Sequence, residues 1–103
     1  LLNTFLKLLN KVASMSTNHH QEVALKVTLN YLSSLDVDDL DEMVMDMAYL
    51  SVNAEVNSTS DINEQDNLLS EAENAASSIN NCGKEAQINF LVNNGYRAML
   101  YAS

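Results

Sequence analysis

The stretch Asp36–Val52 reads DVDDLDEMVMDMAYLSV, and it decides the fold. Apolar residues recur in it every three or four positions, which is the period of an α-helix rather than of a β-strand. The residues expected to face a core are Val37, Leu40, Val44 and Met47. Asp36 suits the N-cap position because its side chain can accept a hydrogen bond from the first turn. We therefore predict a helix from Val37 to Val52 or Glu55.

Three of the four other segments show the helical period, and the last is ambiguous. They run from Leu1 to Ser14, from about His19 to Leu35, from Ile62 to Asn81, and from Lys84 to Tyr101. The second segment is apolar over more than half of its circumference, which is typical of a central helix with neighbours on several sides. Asp61 is a suitable N-cap for the fourth segment, and Gly83 is placed to end it. The stretch from Asn53 to Ser60 is then the longest polar loop.

The last segment has two interpretations. Asn94-Gly95 between two apolar runs is a strong signal for a β-hairpin. A lone two-stranded hairpin is weak without a sheet to join, however, and no other segment favours a strand. The alternative is a helix from Lys84 to Asn93, closed by Gly95 and followed by a short terminal helix. We favour the helices, and predict that residues 1–103 form a single all-α domain, a small bundle of four to five helices.

The composition excludes several classes of protein. Of the 103 residues, 47% are hydrophobic, which is enough for a core despite a net charge of −9. With only five basic residues, direct binding to nucleic acid or to an anionic membrane is not expected, because both need positive charge. No apolar run reaches the roughly 20 residues of a membrane-spanning helix. The single cysteine, Cys82, cannot form an internal disulfide, so we expect a cytoplasmic protein.

Motifs that could support catalysis or metal binding fail on their spacing. His19 and His20 are the only histidines, whereas a di-metal site in a bundle needs two Glu-x-x-His motifs and two further glutamates. The acidic runs at Asp36 and Asp61 lack the glycine and the final glutamate of an EF-hand calcium loop. Cys82 is near a helix C-terminus, where the dipole opposes thiolate formation, so we expect a buried or half-buried thiol. We predict no enzyme activity, no metal and no cofactor.

The charged residues are distributed unevenly along the chain. No lysine or arginine occurs between Val27 and Gly83, and twelve of the fourteen acidic residues lie in that stretch. On a helical wheel of the third segment, carboxylates lie beside an aromatic residue and a methionine, as in an interface anchor with a charged surround. The candidate partner-binding residues there are Asp38, Asp41, Glu42, Met45, Asp46 and Tyr49. A second patch on the fourth segment comprises Glu64 and Glu71 on one side of its apolar stripe and Asp66 and Glu73 on the other.

The same face of the third segment also has a structural interpretation. Met45, Tyr49 and Val52 form a second apolar stripe nearly opposite the first. Another helix, such as the first segment with Lys7 and Lys11, could cover this stripe inside the bundle, because small bundles often place one helix between two others. The pattern alone favours this interior arrangement slightly over an exposed anchor.

Two functions from different classes fit the pattern. In the first, the chain is a non-catalytic interaction module that docks its carboxylates on a basic protein, which could itself bind nucleic acid. Immunity proteins, nuclease inhibitors, anti-defence proteins and nucleic-acid mimics share this profile. In the second, the chain is a helical homodimer with a structural or assembly role, since the apolar faces of the first two segments could exceed what one chain can cover.

Overall fold

The chain forms an all-α bundle. The structure, a computed structural model, describes the backbone of residues 1–102 and the side chains of residues 1–98. Within the described backbone there are five helices and no strand. The helices are α1 (Leu2–Ser14), α2 (Asn18–Ser34), α3 (Val37–Ser58), α4 (Ile62–Asn81) and α5 (Lys84–Ala102). The predicted all-α architecture is confirmed, and the hairpin around Asn94-Gly95 does not form.

Four of the helices are arranged as two hairpins. α1 packs on α2 and α3 packs on α4, in each case across a short connection. α5 lies between the hairpins and contacts all four of the other helices, α3 most extensively. The buried core consists of Phe5, Leu9, Leu32, Leu40, Met43, Val44, Met47, Ala48, Ala72, Ala76 and Leu91. The Cα atoms extend over 47 × 30 × 17 Å, so the bundle is flat and much of each helix lies at its surface.

The first residues of α3 and α4 and the last residue of α4 are where the sequence predicts them. Asp36 Oδ1 accepts a 2.9 Å hydrogen bond from the Asp39 backbone N–H, and Asp61 Oδ1 accepts one of 2.9 Å from Asn63. Gly83 has a φ of +101°, a conformation that L-residues with a side chain rarely adopt, and it ends α4. These caps satisfy backbone groups that each helix terminus leaves without a partner inside the helix.

α3 is longer than predicted. It continues through the stretch Asn53–Ser58, and only residues 59–61 separate it from α4. Val52 packs against the core, Val56 is half-buried, and the Val56 carbonyl accepts a hydrogen bond from Gln65 Nε2 on α4. The predicted loop from Asn53 to Ser60 is therefore wrong. Burial of the two valines and the hydrogen bond to α4 outweigh the weak helix propensity of asparagine and serine.

α5 does not break at Gly95. The helix is continuous, and Gly95 is buried against α1. A Cβ atom at this position would lie 2.5 Å from Leu9 Cδ2 and 3.1 Å from Phe5 Cε2. The glycine therefore allows two helix backbones to approach closely rather than ending a helix. The predicted closure of the helix at Asn93 is wrong because a terminating glycine and a glycine at a helix crossing cannot be distinguished in the local sequence.

α2 is peripheral rather than central. It packs on α1 and on part of α5, and its buried residues are Thr28 and Leu32. Val23 and Val27 are 49% and 53% exposed, so an apolar part of the helix surface faces away from the bundle. The prediction that α2 has neighbours on several sides is wrong, because a large apolar circumference does not determine how much of it the rest of the chain covers.

Candidate partner-binding surface

Opposite charges are segregated onto the two hairpins. Residues 36–81, which we call the acidic hairpin, contain twelve carboxylates and no lysine or arginine. Residues 1–35 contain three lysines and one glutamate. α5, which carries Lys84 and Arg97, packs between the two hairpins, so most of the carboxylates lie on a different hairpin from Lys7, Lys11 and Lys26.

Three exposed carboxylates form a column on α3. Asp38, Glu42 and Asp46 are spaced four residues apart, so they lie on successive turns of one helix face, about 6 Å apart along the axis. All three side chains are exposed. Tyr49 follows one turn after Asp46 and is half-buried. The structure thus brings four of the six predicted α3 residues onto one surface.

Tyr49 connects this column to α4. Its hydroxyl donates a 2.5 Å hydrogen bond to Glu73 Oε1. This hydrogen bond raises the pKa of Tyr49 above its ordinary value, and partial desolvation and the charges of Glu73 and Asp46 raise it further. Glu73 therefore belongs with the α3 column. We call Asp38, Glu42, Asp46, Tyr49 and Glu73 the acidic ridge.

Asp41 lies outside the column and has a different environment from its three carboxylates. Its Oδ1 accepts a 2.6 Å hydrogen bond from Gln87 Nε2, and its backbone carbonyl accepts one of 3.2 Å from Asn80 Nδ2. Gln87 is only 1% exposed and also donates to Asn80 Oδ1 over 3.0 Å. Asp41 is thus held where α3, α4 and α5 meet. Its carboxylate holds the ridge-bearing helix in place rather than lying freely on the surface.

The second apolar stripe of α3 is partly covered. Met45 and Val52 are partly buried and pack against the core. They lie on the side of α3 from which Tyr49 reaches α4, so α4 covers this stripe and α1 with its lysines does not. Met45 and Val52 are therefore covered inside the bundle, whereas Tyr49 lies at the boundary between the two helices and the solvent.

The predicted patch on α4 is divided between two sides of the helix. Ala72 and Ala76 are the buried residues of α4. Asp66 and Glu73, seven residues apart, lie on one flank of these alanines, whereas Glu64 and Glu71 lie on the other. All four are exposed, and Glu64 Oε2 accepts a hydrogen bond from Thr59. Only Glu73, extended by Asp66, shares a surface with the α3 column.

The remaining reactive side chains lie elsewhere. His19 and His20 are exposed in the first turn of α2, with ring centroids 6.0 Å apart. Among the described side chains, no group of three or more His, Cys, Asp and Glu residues is arranged to hold a metal ion. Cys82 is exposed at the C-cap of α4, so the expected burial of its thiol is wrong.

The polar junction at Gln87 was not among the sequence predictions. Gln87 lies one turn before the buried Leu91, in the stripe of α5 that faces the core. A glutamine at a core position was the signal that could have indicated a buried hydrogen-bond network. Its partners, which lie on α3 and α4, could not be inferred from local spacing.

Comparison of the chain with protein-family models, with curated proteins and with solved structures finds no match. Along the described helices, none combines the length and the apolar character needed to cross a membrane.

Proposed function

We propose that this protein is a non-catalytic interaction module that binds a basic protein through the acidic ridge. The observation that carries the proposal is the column of Asp38, Glu42 and Asp46, three exposed carboxylates on successive turns of one helix. The ridge continues across the hydrogen bond from Tyr49 to Glu73 onto α4. The result is a row of negative charge that spans two helices.

Such a column is unfavourable for the isolated fold. Like charges four residues apart on a helix destabilise it by about 0.2–0.5 kcal/mol per pair. The acidic hairpin has no lysine or arginine of its own to offset this repulsion. A binding function accounts for the arrangement, because a concentrated field accelerates encounter with an oppositely charged partner and disfavours partners of the wrong sign.

The chemistry of the ridge suits a cleft that binds phosphates. A row of carboxylates presents negative charge at regular intervals, as a nucleic-acid backbone does. Tyr49 adds an aromatic side chain of the kind enriched at interface centres. We therefore favour a role as an inhibitor, immunity or anti-defence protein, or nucleic-acid mimic, which occupies the basic site of a nucleic-acid-binding protein. The lone cysteine supports a cytoplasmic setting for this role.

Affinity capture at low and at high salt tests the proposal. The bait is the whole chain, and the matched control is the same chain with Glu42→Lys and Asp46→Lys. We expect the wild-type chain to recover a basic protein at low salt and to lose it at high salt, and the variant to recover much less of it. Recovery of no basic protein, or recovery that is indifferent to salt, would contradict the proposal.

A second candidate function is homodimerisation in a structural or assembly role. Val23 and Val27 support it, because they lie one turn apart on the outer face of α2 and are each about half exposed. Sedimentation at micromolar concentration distinguishes the two functions. If the wild type is a dimer and the double substitution Val23→Glu and Val27→Glu converts it to a monomer, the assembly role is favoured. A monomeric wild type would rule this role out.

A further inference from the structure

A groove runs between α1 and the C-terminal half of α3, with α5 as its floor. Its volume is about 1050 Å³. Leu6, Leu50 and Ala98 contribute its apolar surface, and Leu50 is 42% exposed. The groove is formed by different residues from the acidic ridge, so what it binds does not depend on the proposed function.

The residues that line the groove have the spacing seen where one helix packs on another. α1 contributes Asn3, Leu6, Lys7 and Asn10, and α3 contributes Leu50, Asn53, Ala54 and Asn57 among its lining residues. Each set follows the pattern i, i+3, i+4, i+7, which marks a single ridge along a helix.

α5 continues the pattern on the floor of the groove. Its lining residues are Asn94, Arg97 and Ala98, spaced i, i+3, i+4. Three helices thus present ridges to one shared space, which is the arrangement that receives an additional helix.

The charge of the groove is opposite to that of the molecule. Lys7 and Arg97 both line it, and among the described residues that line it Glu55 is the one carboxylate. The chain as a whole carries a net charge of −9 with only five basic residues. Two of these five therefore lie in the same groove, where they favour a partner that carries carboxylates.

We propose that this groove binds an amphipathic α-helix from another protein, with an apolar stripe against Leu6, Leu50 and Ala98 and carboxylates beside Lys7 and Arg97. A helix with its side chains is about 10–12 Å wide and rises 1.5 Å per residue, so the groove volume corresponds to roughly two turns. The amides of Asn3 and Asn10 on α1 and of Asn53 and Asn57 on α3 can donate hydrogen bonds to polar side chains of the docked helix and accept hydrogen bonds from them.

Selection from a displayed library of amphipathic helical peptides tests this proposal. The target is the whole chain, and peptides that also bind the Ala54→Trp variant are discarded, which removes those bound to the acidic ridge. Ala54 is exposed, so the tryptophan fills the groove without entering the core. Asn67→Trp, at an exposed position on α4 away from the groove, is the matched control.

We expect the surviving peptides to be helical when bound and enriched in Asp and Glu beside an apolar stripe. The double substitution Lys7→Glu and Arg97→Glu should weaken the binding of these peptides by at least about tenfold, which is the cost of losing one anchor contact. Lys11→Glu, on α1 outside the groove, and Asn67→Trp should leave their affinity unchanged.

Three results would overturn the proposal. They are the absence of any surviving peptide, the survival of basic rather than acidic peptides, and affinity that is unaffected by the Lys7 and Arg97 substitutions. Sedimentation could give a fourth such result, which is a wild-type dimer that Ala54→Trp converts to a monomer. The groove would then hold a second copy of this chain.

Discussion

The Tyr49 hydroxyl lies 2.5 Å from Glu73 Oε1, and this hydrogen bond joins the two helices of the acidic hairpin in the middle of its charged surface. The hydrogen bond sets the position of the Glu73 carboxylate beside the Tyr49 ring. The contact fixes the position of the aromatic ring that a partner would meet.

The first prediction concerns the titration of Tyr49. Because the hydrogen bond to Glu73 raises the pKa of Tyr49 in the folded chain, this hydroxyl stabilises the fold below the ordinary tyrosine pKa of about 10. The contribution is lost as the pH rises through the raised pKa. A pH titration followed by ultraviolet absorbance, with the curve of Tyr49→Phe subtracted from that of the wild type, should give a midpoint for Tyr49 above the ordinary tyrosine value. Glu73→Gln should lower that midpoint. An unchanged midpoint in Glu73→Gln would show that the contact does not persist in solution.

The second prediction concerns the junction at Gln87. Gln87→Met keeps the length of the side chain but leaves Asp41 Oδ1 and Asn80 Oδ1 without their donor. We expect the free energy of unfolding to fall by about 1–3 kcal/mol in urea titrations. Asn93→Met, at an exposed position on the same helix, should change it by less than about 0.5 kcal/mol. Equal effects of the two substitutions would contradict the claim that the hydrogen bonds of Gln87 stabilise the fold.

The third prediction concerns the crossing of α1 and α5. Gly95→Val places methyl groups into the space of Leu9 and Phe5. We expect it to lower the free energy of unfolding by about 1–3 kcal/mol through overpacking. Leu9→Ala frees space at the same site, so the double variant should lose less stability than the two single losses added together. Strict additivity would indicate that the helices do not cross at this glycine.

The fourth prediction concerns repulsion within the α3 column. Glu42→Gln removes a charge that has Asp38 and Asp46 one turn away on either side. At low salt it should raise the free energy of unfolding by about 0.2–0.5 kcal/mol per like-charge pair removed. Glu71→Gln is the control, since no carboxylate lies three or four residues from it. The gain should vanish in about 1 M salt, and a gain that persists there would not come from repulsion between charges.

Local signals in the sequence were sufficient for the helix starts and for the fold class. Asp36 and Asp61 cap the helices they precede, and Gly83 ends α4 as expected. Each of these features depends on residues within one turn of the backbone group concerned. The helical period of the apolar residues is likewise a local property, and it predicted an all-α bundle correctly.

Features that depend on a neighbouring helix could not be predicted in the same way. Asn53–Ser58 is helical where Val52 packs against the core and Gln65 of α4 donates a hydrogen bond to the Val56 carbonyl. Gly95 lies inside α5 at the point where the side chains of α1 approach it closely. For the surface, the α3 column was predictable from a spacing of four residues. The division of the α4 carboxylates between two flanks also follows from the helical period, but which flank meets the α3 column depends on how the two helices face each other.

The most direct test of the acidic ridge is the association rate of the captured basic protein with two charge-reversed variants. Glu42→Lys with Asp46→Lys reverses the ridge, whereas Glu64→Lys with Glu71→Lys makes the same change in net charge on the other flank of α4. At low salt the ridge variant should associate at least about tenfold more slowly than the wild type, and the flank variant should change far less. Equal association rates for the two variants would contradict the claim that the ridge is the docking surface.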